Sequence, residues 1–552
     1  MKRYIFALII LGTTVFSSCQ KDEYFKTLIA KQEGFLSLSS KSYINNAHYS
    51  CWETGDLVYI NNAETSNTVS VSGESSIITD VTAESPYYAL HTNYEVSSYN
   101  DGTFSFVIPV NDVYSEDASG HQRINAPMYS YSSTDHLQFH NAFGLMQFNL
   151  SYVDANYPIL EYIEVQSTVN ISGNASINVQ SGALQMESSN VFNIRRLIVN
   201  QTLTNTSKSF YLPIPPCTNG QFTIRLGFRA TNGDKVIYER KSTVDNTMTR
   251  NYIATPVQTS NFQSAATVFY GLLSGQFDVS ASCKVRFAQG NLRYTTVGTH
   301  SVNGGGSDTG AFALSNHQYD FIGSDNVNIS STYTGWIDLF GWGTSGWNSG
   351  ATCYVPRSTS NDGSEYCPGL VPNTKNHKNC LTGDYANADW GVYNAISNAG
   401  STPNYLRCFT YAEYNYLKTH NSGIATGSIE VGGNVINGMI ILPKVWSLPQ
   451  GCSFTGGIAN NFNTNSYTEA QWQLMEAAGA VFLPAAGCRD VTSFNTSNNY
   501  YWSSTSCTST PSSSGITADQ KEAMAVNVSN LNIPHISRSR GSSVRLVKPM
   551  NE

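Results

Sequence analysis

The sequence is short of charge, of paired cysteines and of long apolar runs, and each shortage excludes something. Only 13% of its residues are charged, and 31 Lys and Arg against 39 Asp and Glu leave a net charge of -8. No basic stripe is available to neutralise phosphates, so nucleic acid is excluded as a partner. A 40% share of apolar residues excludes intrinsic disorder. Beyond Val15 no apolar stretch approaches the ~20 residues that a membrane-spanning helix needs. The CxxC pair of structural zinc sites is missing. So are GxSxG, HExxH, Walker and Rossmann patterns. His300, His317, His377 and His535 have no ligand spacing, and Asp308, Asp320, Asp325 and Asp338 lack that of an EF-hand loop. The expectation is a chain that is not an enzyme and carries no cofactor or metal.

What abounds is tyrosine, 33 residues in 552, together with Ser, Thr and Asn. Few charges with a hydroxyl- and amide-rich surface fit an extracellular β-protein. The chain is too long for one core, and two to four domains follow. Of eleven cysteines, eight lie in the C-terminal half: Cys283, Cys353, Cys367, Cys380, Cys408, Cys452, Cys488 and Cys507. An extracellular setting permits disulfides, and spacing leaves their connectivity open.

The N-terminus reads as a processing signal at residues 1–18. Lys2 and Arg3 precede the short apolar run Tyr4–Val15. Phe16-Ser17-Ser18-Cys19 resembles a lipobox, which implies lipidation (palmitate among the acyl groups) at Cys19. Lys21-Asp22-Glu23 resembles the export signal of Bacteroidetes surface lipoproteins, which implies an outer-membrane anchor facing the medium. Residues 19–32 would then be a lipidated tether.

From about Glu33 to Phe262 the pattern is that of short strands. Phe104, Phe106, Ile108 and Val110 alternate with polar or small residues. So do Met146, Phe148, Leu150 and Tyr152, and Phe222, Ile224, Leu226 and Phe228. Period two means one face buried and one solvated. Asn100-Asp101-Gly102, Ser172-Gly173-Asn174 and Asn232-Gly233-Asp234 read as turns. Trp52-Glu53-Thr54-Gly55-Asp56, Pro86–Leu90, Ala126-Pro127-Met128, Phe139–Leu145, Phe210–Pro213 and Arg250-Asn251-Tyr252 resemble the fimbrillin-like proteins of Bacteroidetes. The resemblance implies two successive transthyretin-like β-sandwiches, at 33–145 and 146–262, and partners that are other fimbrial subunits joined by strand exchange. In many members that exchange follows cleavage after an arginine. Here no Arg lies between Cys19 and Arg123, which leaves Lys26, Lys31 or Lys41. Trp52 reads as core rather than as a sugar platform. A linker follows at 263–270, in the polar stretch that begins at Gln258.

The C-terminal region, 271–552, holds two marked helix starts. Thr410-Tyr411-Ala412-Glu413 and Thr468-Glu469-Ala470-Gln471 are capping boxes, and Gly479 sits where a left-handed stop is wanted. Ala480–Leu483 and Val544–Val547 read as buried strands. GWIDLFGWGTSGW at Gly335–Trp347, DWGVYNAISNAG at Asp389–Gly400, GAVFLPAAG from Gly479, YWSST from Tyr501 and GSSVRLV from Gly541 resemble the C-type-lectin-like domains of Bacteroidetes surface proteins. That family is related in fold to formylglycine-generating enzymes. It includes repeated surface modules, the Fibrobacter succinogenes major paralogous domains and the variable proteins of diversity-generating retroelements. The implied architecture is a mostly β N-terminal half followed by an α+β C-type-lectin-like domain. Cys488 and Cys507 do not match the catalytic cysteine motif of the enzymes.

By analogy with the retroelement proteins, ligand-binding positions are expected at Ser506, Thr508, Asn530, Asn532, His535, Ser537 and Arg538, with Trp347 and Tyr354 as a second exposed pair. Arginine can hold carboxylates bidentately, so acidic sugars or protein acids are conceivable ligands. Three functions compete. They are a fimbrial tip adhesin with a glycan, host or bacterial ligand, a structural stalk or anchor subunit, and a non-fimbrial glycan-capture lipoprotein.

Overall fold

The structure is a computed structural model that describes residues 26–32, 36–37, 52, 54–64, 66–70, 75–116, 120, 122–297, 310–330, 332–347, 353–366, 379–421, 423–507 and 521–550. Cys19, Lys21, Asp22, Glu23 and Thr508 lie outside them. The chain is mostly β, with an α+β C-terminal unit. No helix among the described residues is long and apolar enough to cross a membrane.

The first unit is built on a seven-stranded sheet. Its order is Ser66–Thr68, Leu57–Ile60, Tyr87–His91, Met128–Ser132, His136–Asn141, Lys26–Gln32 and Ser75–Val81. Val69 bridges Ile78, so the two edges of the sheet meet. Trp52 is fully buried in the resulting core, edge-on to Phe139 and His91. Lys26–Gln32 runs parallel to His136–Asn141 and antiparallel to Ser75–Val81. It turns Leu28 and Ala30 inward while Ile29 faces out. A four-stranded sheet, Ala183–Phe192, Ser172–Asn178, Thr103–Ile108 and Glu95–Asn100, packs Phe104, Phe106, Ala175 and Ile177 against Leu90 and Tyr129.

The second unit is a sandwich. Gly144–Leu150 and Lys208–Ile214 lead one sheet, and Ile159–Ser167, Ile194–Thr202, Phe222–Arg229 and Lys235–Lys241 lead the other. Phe148, Leu150, Phe210 and Leu212 meet Ile163, Val165, Leu226 and Phe228 between them. The expected alternation holds from Met146 to Leu150, but Phe222–Arg229 departs from it: Arg225 and Gly227 are buried and Ile224 is half-buried, because the C-terminal unit covers the sheet's other face.

Three details depart from the sequence reading. The two N-terminal units interlock rather than follow one another, because Ser172–Asn178 pairs with Thr103–Ile108 and Asn111–Val113 pairs with Ile194–Thr202. Ser172-Gly173-Asn174 is strand, not turn, with Gly173 at φ +98° where the register shifts against the neighbouring strand. A Cβ there would meet the Asn190 carbonyl oxygen at 2.1 Å, so only glycine fits. The expected linker contains a strand, Thr267–Tyr270, that extends the second unit's sheet beside Lys235–Lys241. Its β-branched and aromatic residues explain this. Val268 and Tyr270 pack on the sandwich core, while Phe269 packs on the core of the C-terminal unit.

In the C-terminal unit, Lys284–Phe287 and Arg407–Cys408 both pair with Leu546–Met550. Gly423–Val431, Asn434–Leu442 and Val481–Pro484 form a second sheet. Helices Tyr411–His420 and Glu469–Ala477 begin at the expected capping boxes, and Gly479 has φ +114°. Polar contacts weld this unit to the second sandwich. Lys235 Nζ lies 2.5 Å from both Glu161 and Glu476. The Lys235 amide donates to Gln289 at 2.8 Å, Asn398 donates to Asp234 at 2.7 Å, and Arg196 donates to the Ala478 carbonyl. The interface is dense and charged, unlike a flexible tether.

Candidate functional site

The expected binding residues lie on or beside a three-stranded sheet, Tyr500–Ser506, Glu522–Asn527 and His535–Ser537. Aromatic side chains fix it from behind. Trp502 Nε1 donates to the Phe340 carbonyl at 2.7 Å, and Trp342 Nε1 donates to the Ser503 carbonyl at 2.8 Å. The Phe340 amide donates to Ser542, and the Trp342 amide to Arg538, each at 2.9 Å. Both indoles are buried with their N–H groups satisfied, as a stable core requires. Ala525 and Val526 are both fully buried, so the strand Glu522–Asn527 is covered on two faces and not one.

On this frame the expected residues separate. Asn527 Oδ1 accepts from the amides of Ser529 at 2.9 Å and Asn530 at 3.4 Å, and Asn530 Oδ1 accepts from Asn532 at 3.1 Å. These bonds hold a tight turn around Leu531, whose φ is +59°. Asn532 and His535 are exposed, and Asn530 and Ser537 half-buried. His535 Nδ1 contacts the Glu522 carboxylate. Ser537 Oγ bonds Ser539 Oγ at 2.8 Å.

Two residues are not presented to solvent, which corrects the sequence reading. Arg538 is fully buried. Its guanidinium lies 4.6 Å over the Trp342 ring, and Nε donates to the Glu522 carbonyl at 3.0 Å. Cation–π stacking and that hydrogen bond hold it in place of an outside carboxylate. Ser506 is buried too, its Oγ 3.6 Å from Cys380 Sγ. Trp347 and Tyr354 are half-buried. Trp347 leans on the large aromatic core, and the Gly346 amide donates to the Tyr354 carbonyl at 2.9 Å.

Three charged residues on this face escaped the sequence reading. Lys521 Nζ lies 2.9 Å from Asp362 Oδ1, and Gly363 packs closely on Lys521 and Ser537. The Ser364 amide, with Lys521 beside it, holds the Asp362 carboxyl down at about 2. Glu522 is the third. Nothing local in the sequence marks them, since a polar loop from another part of the chain brings Asp362 to Lys521.

Among the described residues, no three His, Cys, Asp or Glu side chains gather as they would around a metal ion. Asp338 accepts from Asn326 at 2.7 Å and from the Ile322 amide at 3.0 Å, and burial raises its carboxyl to about 6. Asp320 is engaged with His317 at 3.3 Å. Cys217, Cys283, Cys408, Cys452 and Cys488 carry free thiols. Burial pushes the Cys488 thiol up to about 11 and Cys408 well above its ordinary value. That is the opposite of nucleophile activation.

No protein-family model matches the chain, and no curated protein does. Among solved structures it is similar to a candidate cell adhesion protein of Bacteroides ovatus, at 9% identity and TM-score 0.29, over 45% of this chain and 96% of that one. It is similar to another candidate cell adhesion protein, of Bacteroides uniformis, at 11% identity and TM-score 0.26, over 45% and 98%. A fimbrial protein of Bacteroides vulgatus is similar at 6% identity and TM-score 0.21, over 44% and 98%.

Proposed function

We propose that the chain is a surface-exposed lipoprotein adhesin, a non-enzymatic fimbrial subunit that binds a host, bacterial or glycan ligand through its C-terminal unit. One observation carries this reading. The 527–537 segment exposes Asn532 and His535 beside Asn530 and Ser537, while its backbone is held by Lys418 donating to the Leu531 carbonyl, the Asn460 amide to Ser529 and the Ala525 amide to Pro534. A rigid frame under polar side chains keeps the ordering cost of binding low. Charged Lys521, Asp362 and Glu522 flank the patch. The lectin-like sequence motifs point to the same part of the chain. Cys19 is the anchor and Lys21-Asp22-Glu23 the export signal in this reading.

Assembly by strand exchange is part of the proposal. Lys26–Gln32 sits inside the seven-stranded sheet with a strand on either side, so its release would open a slot for another subunit's strand. Leu546–Met550 is held between Lys284–Phe287 and Arg407–Cys408 and is not available to donate. A subunit that accepts but does not donate belongs at a fimbrial tip. This favours the tip over the stalk.

The test is the triple variant Asn530→Ala, Asn532→Ala, His535→Ala. Adhesion to host cells or to a glycan array should fall at least tenfold. Melting should shift by no more than ~2 °C, since these positions are exposed or half-buried. Unchanged adhesion would remove this face from the proposal.

A further inference from the structure

The weld between the second sandwich and the C-terminal unit is not closed along its whole length. Two adjoining cavities, of about 260 and 530 Å3, open there and share Gln166, Asn193, Gln276 and Lys284 in their walls. One wall is the sandwich sheet around Ile159–Ser167. The other is Gly275–Asp278, Lys284 and the end of the Leu546–Met550 strand. None of the residues on the 527–537 face lines either cavity. The larger volume lies in the range of small-ligand sites.

The walls are positive on a chain whose net charge is -8. Arg196, Arg225, Lys241, Lys284, Lys444 and Lys548 outnumber Glu164, Glu239 and Asp278. The three acids are already engaged. Glu164 sits between Arg196 and Arg225, Glu239 lies 2.6 Å from Arg225, and Asp278 lies 3.6 Å from Lys444. Behind them Arg286 is fully buried, 4.0 Å from Glu164, and its Nη2 has no hydrogen-bond partner. Gln276 Nε2, in the shared wall, is also buried without an acceptor. Buried donors left unpaired are unfavourable, because they have given up water without gaining an acceptor. An anion in the cleft would place charge opposite this excess of cations, and an oxygen near Gln276 would satisfy its amide.

The remaining lining narrows the class of ligand. Ser167, Thr168 and Thr223 offer hydroxyls, Asn193 and Gln221 offer amides, and Phe269 offers a flat apolar edge. Hydroxyls and amides pair with sugar hydroxyls, and an aromatic ring packs on the apolar face of a pyranose. We propose that this interdomain cleft binds an acidic saccharide, one bearing carboxylate or sulfate groups. Lysines at the rim attract the charge, and the amides and Phe269 hold the ring. The site is separate from the 527–537 face and stands or falls independently of it.

The test is titration calorimetry on the full mature chain with four probes: digalacturonate, a sulfated heparin disaccharide, lactose and inorganic phosphate. At least one acidic disaccharide should bind with Kd below ~1 mM and weaken as salt is raised, while lactose does not bind. Which of the two binds distinguishes carboxylate from sulfate. The side chain of Lys241 is largely exposed, so Lys241→Glu should leave melting unchanged and weaken binding at least tenfold; Gln276→Leu, read beside its own melting curve, should also weaken it. The triple variant of the 527–537 face should bind as the parent does. Four results would each overturn the inference: no binding of either acidic sugar, equal binding of lactose, phosphate binding as tight as the sugars, or an affinity indifferent to Lys241→Glu.

Discussion

Lys235 on the second sandwich and Glu476 on a helix of the C-terminal unit form a buried ion pair at 2.5 Å, with Glu161 on the other side of the same ammonium. Burial alone would raise the Glu476 carboxyl, but Lys235 beside it holds it below its ordinary value. The pair joins two parts of the chain that the sequence separates by a supposed linker.

Removing Lys235 therefore leaves the buried Glu476 carboxylate without its cation, while Arg229 still holds Glu161 at 3.0 Å. Lys235→Ala should destabilise the protein by ~3–5 kcal/mol. Calorimetry should show the C-terminal unit melting apart from the second sandwich, whereas the parent melts both in one transition. A single transition at the parent's temperature would show that the weld does not depend on this pair.

Acid should weaken the same seam. Burial pushes the Glu164 carboxyl up, but the charges of Arg196, Arg225 and Arg286 outweigh it and bring it from 4.5 to about 2. A depressed carboxyl gives stability that is complete above the unfolded value and lost as pH falls toward the folded one. The contribution is on the order of 3 kcal/mol, present above pH 4.5 and lost on the way to pH 2. Glu164→Gln should lower melting at neutral pH and flatten its acid dependence in that window. An unchanged acid profile would count against the assignment.

Arg538 and Asn532 should behave oppositely although they lie six positions apart. Arg538→Ala removes the guanidinium stacked over Trp342 and should cost ~2–4 kcal/mol. Lysine should not restore it, because an ammonium lacks the planar face. Asn532→Ala should leave melting within ~0.5 kcal/mol of the parent. Chemical denaturation of the three variants checks the order.

The proposed lipid anchor at Cys19 has its own test. Cys19→Ser should release the protein from the membrane fraction and abolish palmitate labelling. Replacing Lys21, Asp22 and Glu23 with Ala should keep the lipid but shield the protein from protease added to whole cells.

What was legible in the sequence is what short stretches decide for themselves. The boxes Thr410 with Glu413 and Thr468 with Gln471 act within one helical turn, and both helices start there. Gly479 needs only its own backbone angle. Alternation from Met146 to Leu150 reports its own two faces. What remained hidden depends on remote partners. Arg538 looks like a surface arginine until Trp342 lies beneath it. Ser506 is buried by elements far from it in sequence. Thr267–Tyr270 reads as linker because the polar residues before it mask four residues of strand-forming composition, and its partner Lys235–Lys241 lies elsewhere in the chain.

The pairing of Leu546–Met550 with both Lys284–Phe287 and Arg407–Cys408 also bears on how the C-terminal unit folds. Until that strand is in place, Lys284–Phe287 has a neighbour only on the Phe277–Asp278 side. Val285 and Phe287, both buried in the folded unit, stay exposed until then. Closure therefore waits on a contact between the two ends of the unit, and such non-local pairing slows folding and leaves apolar surface open to aggregation meanwhile.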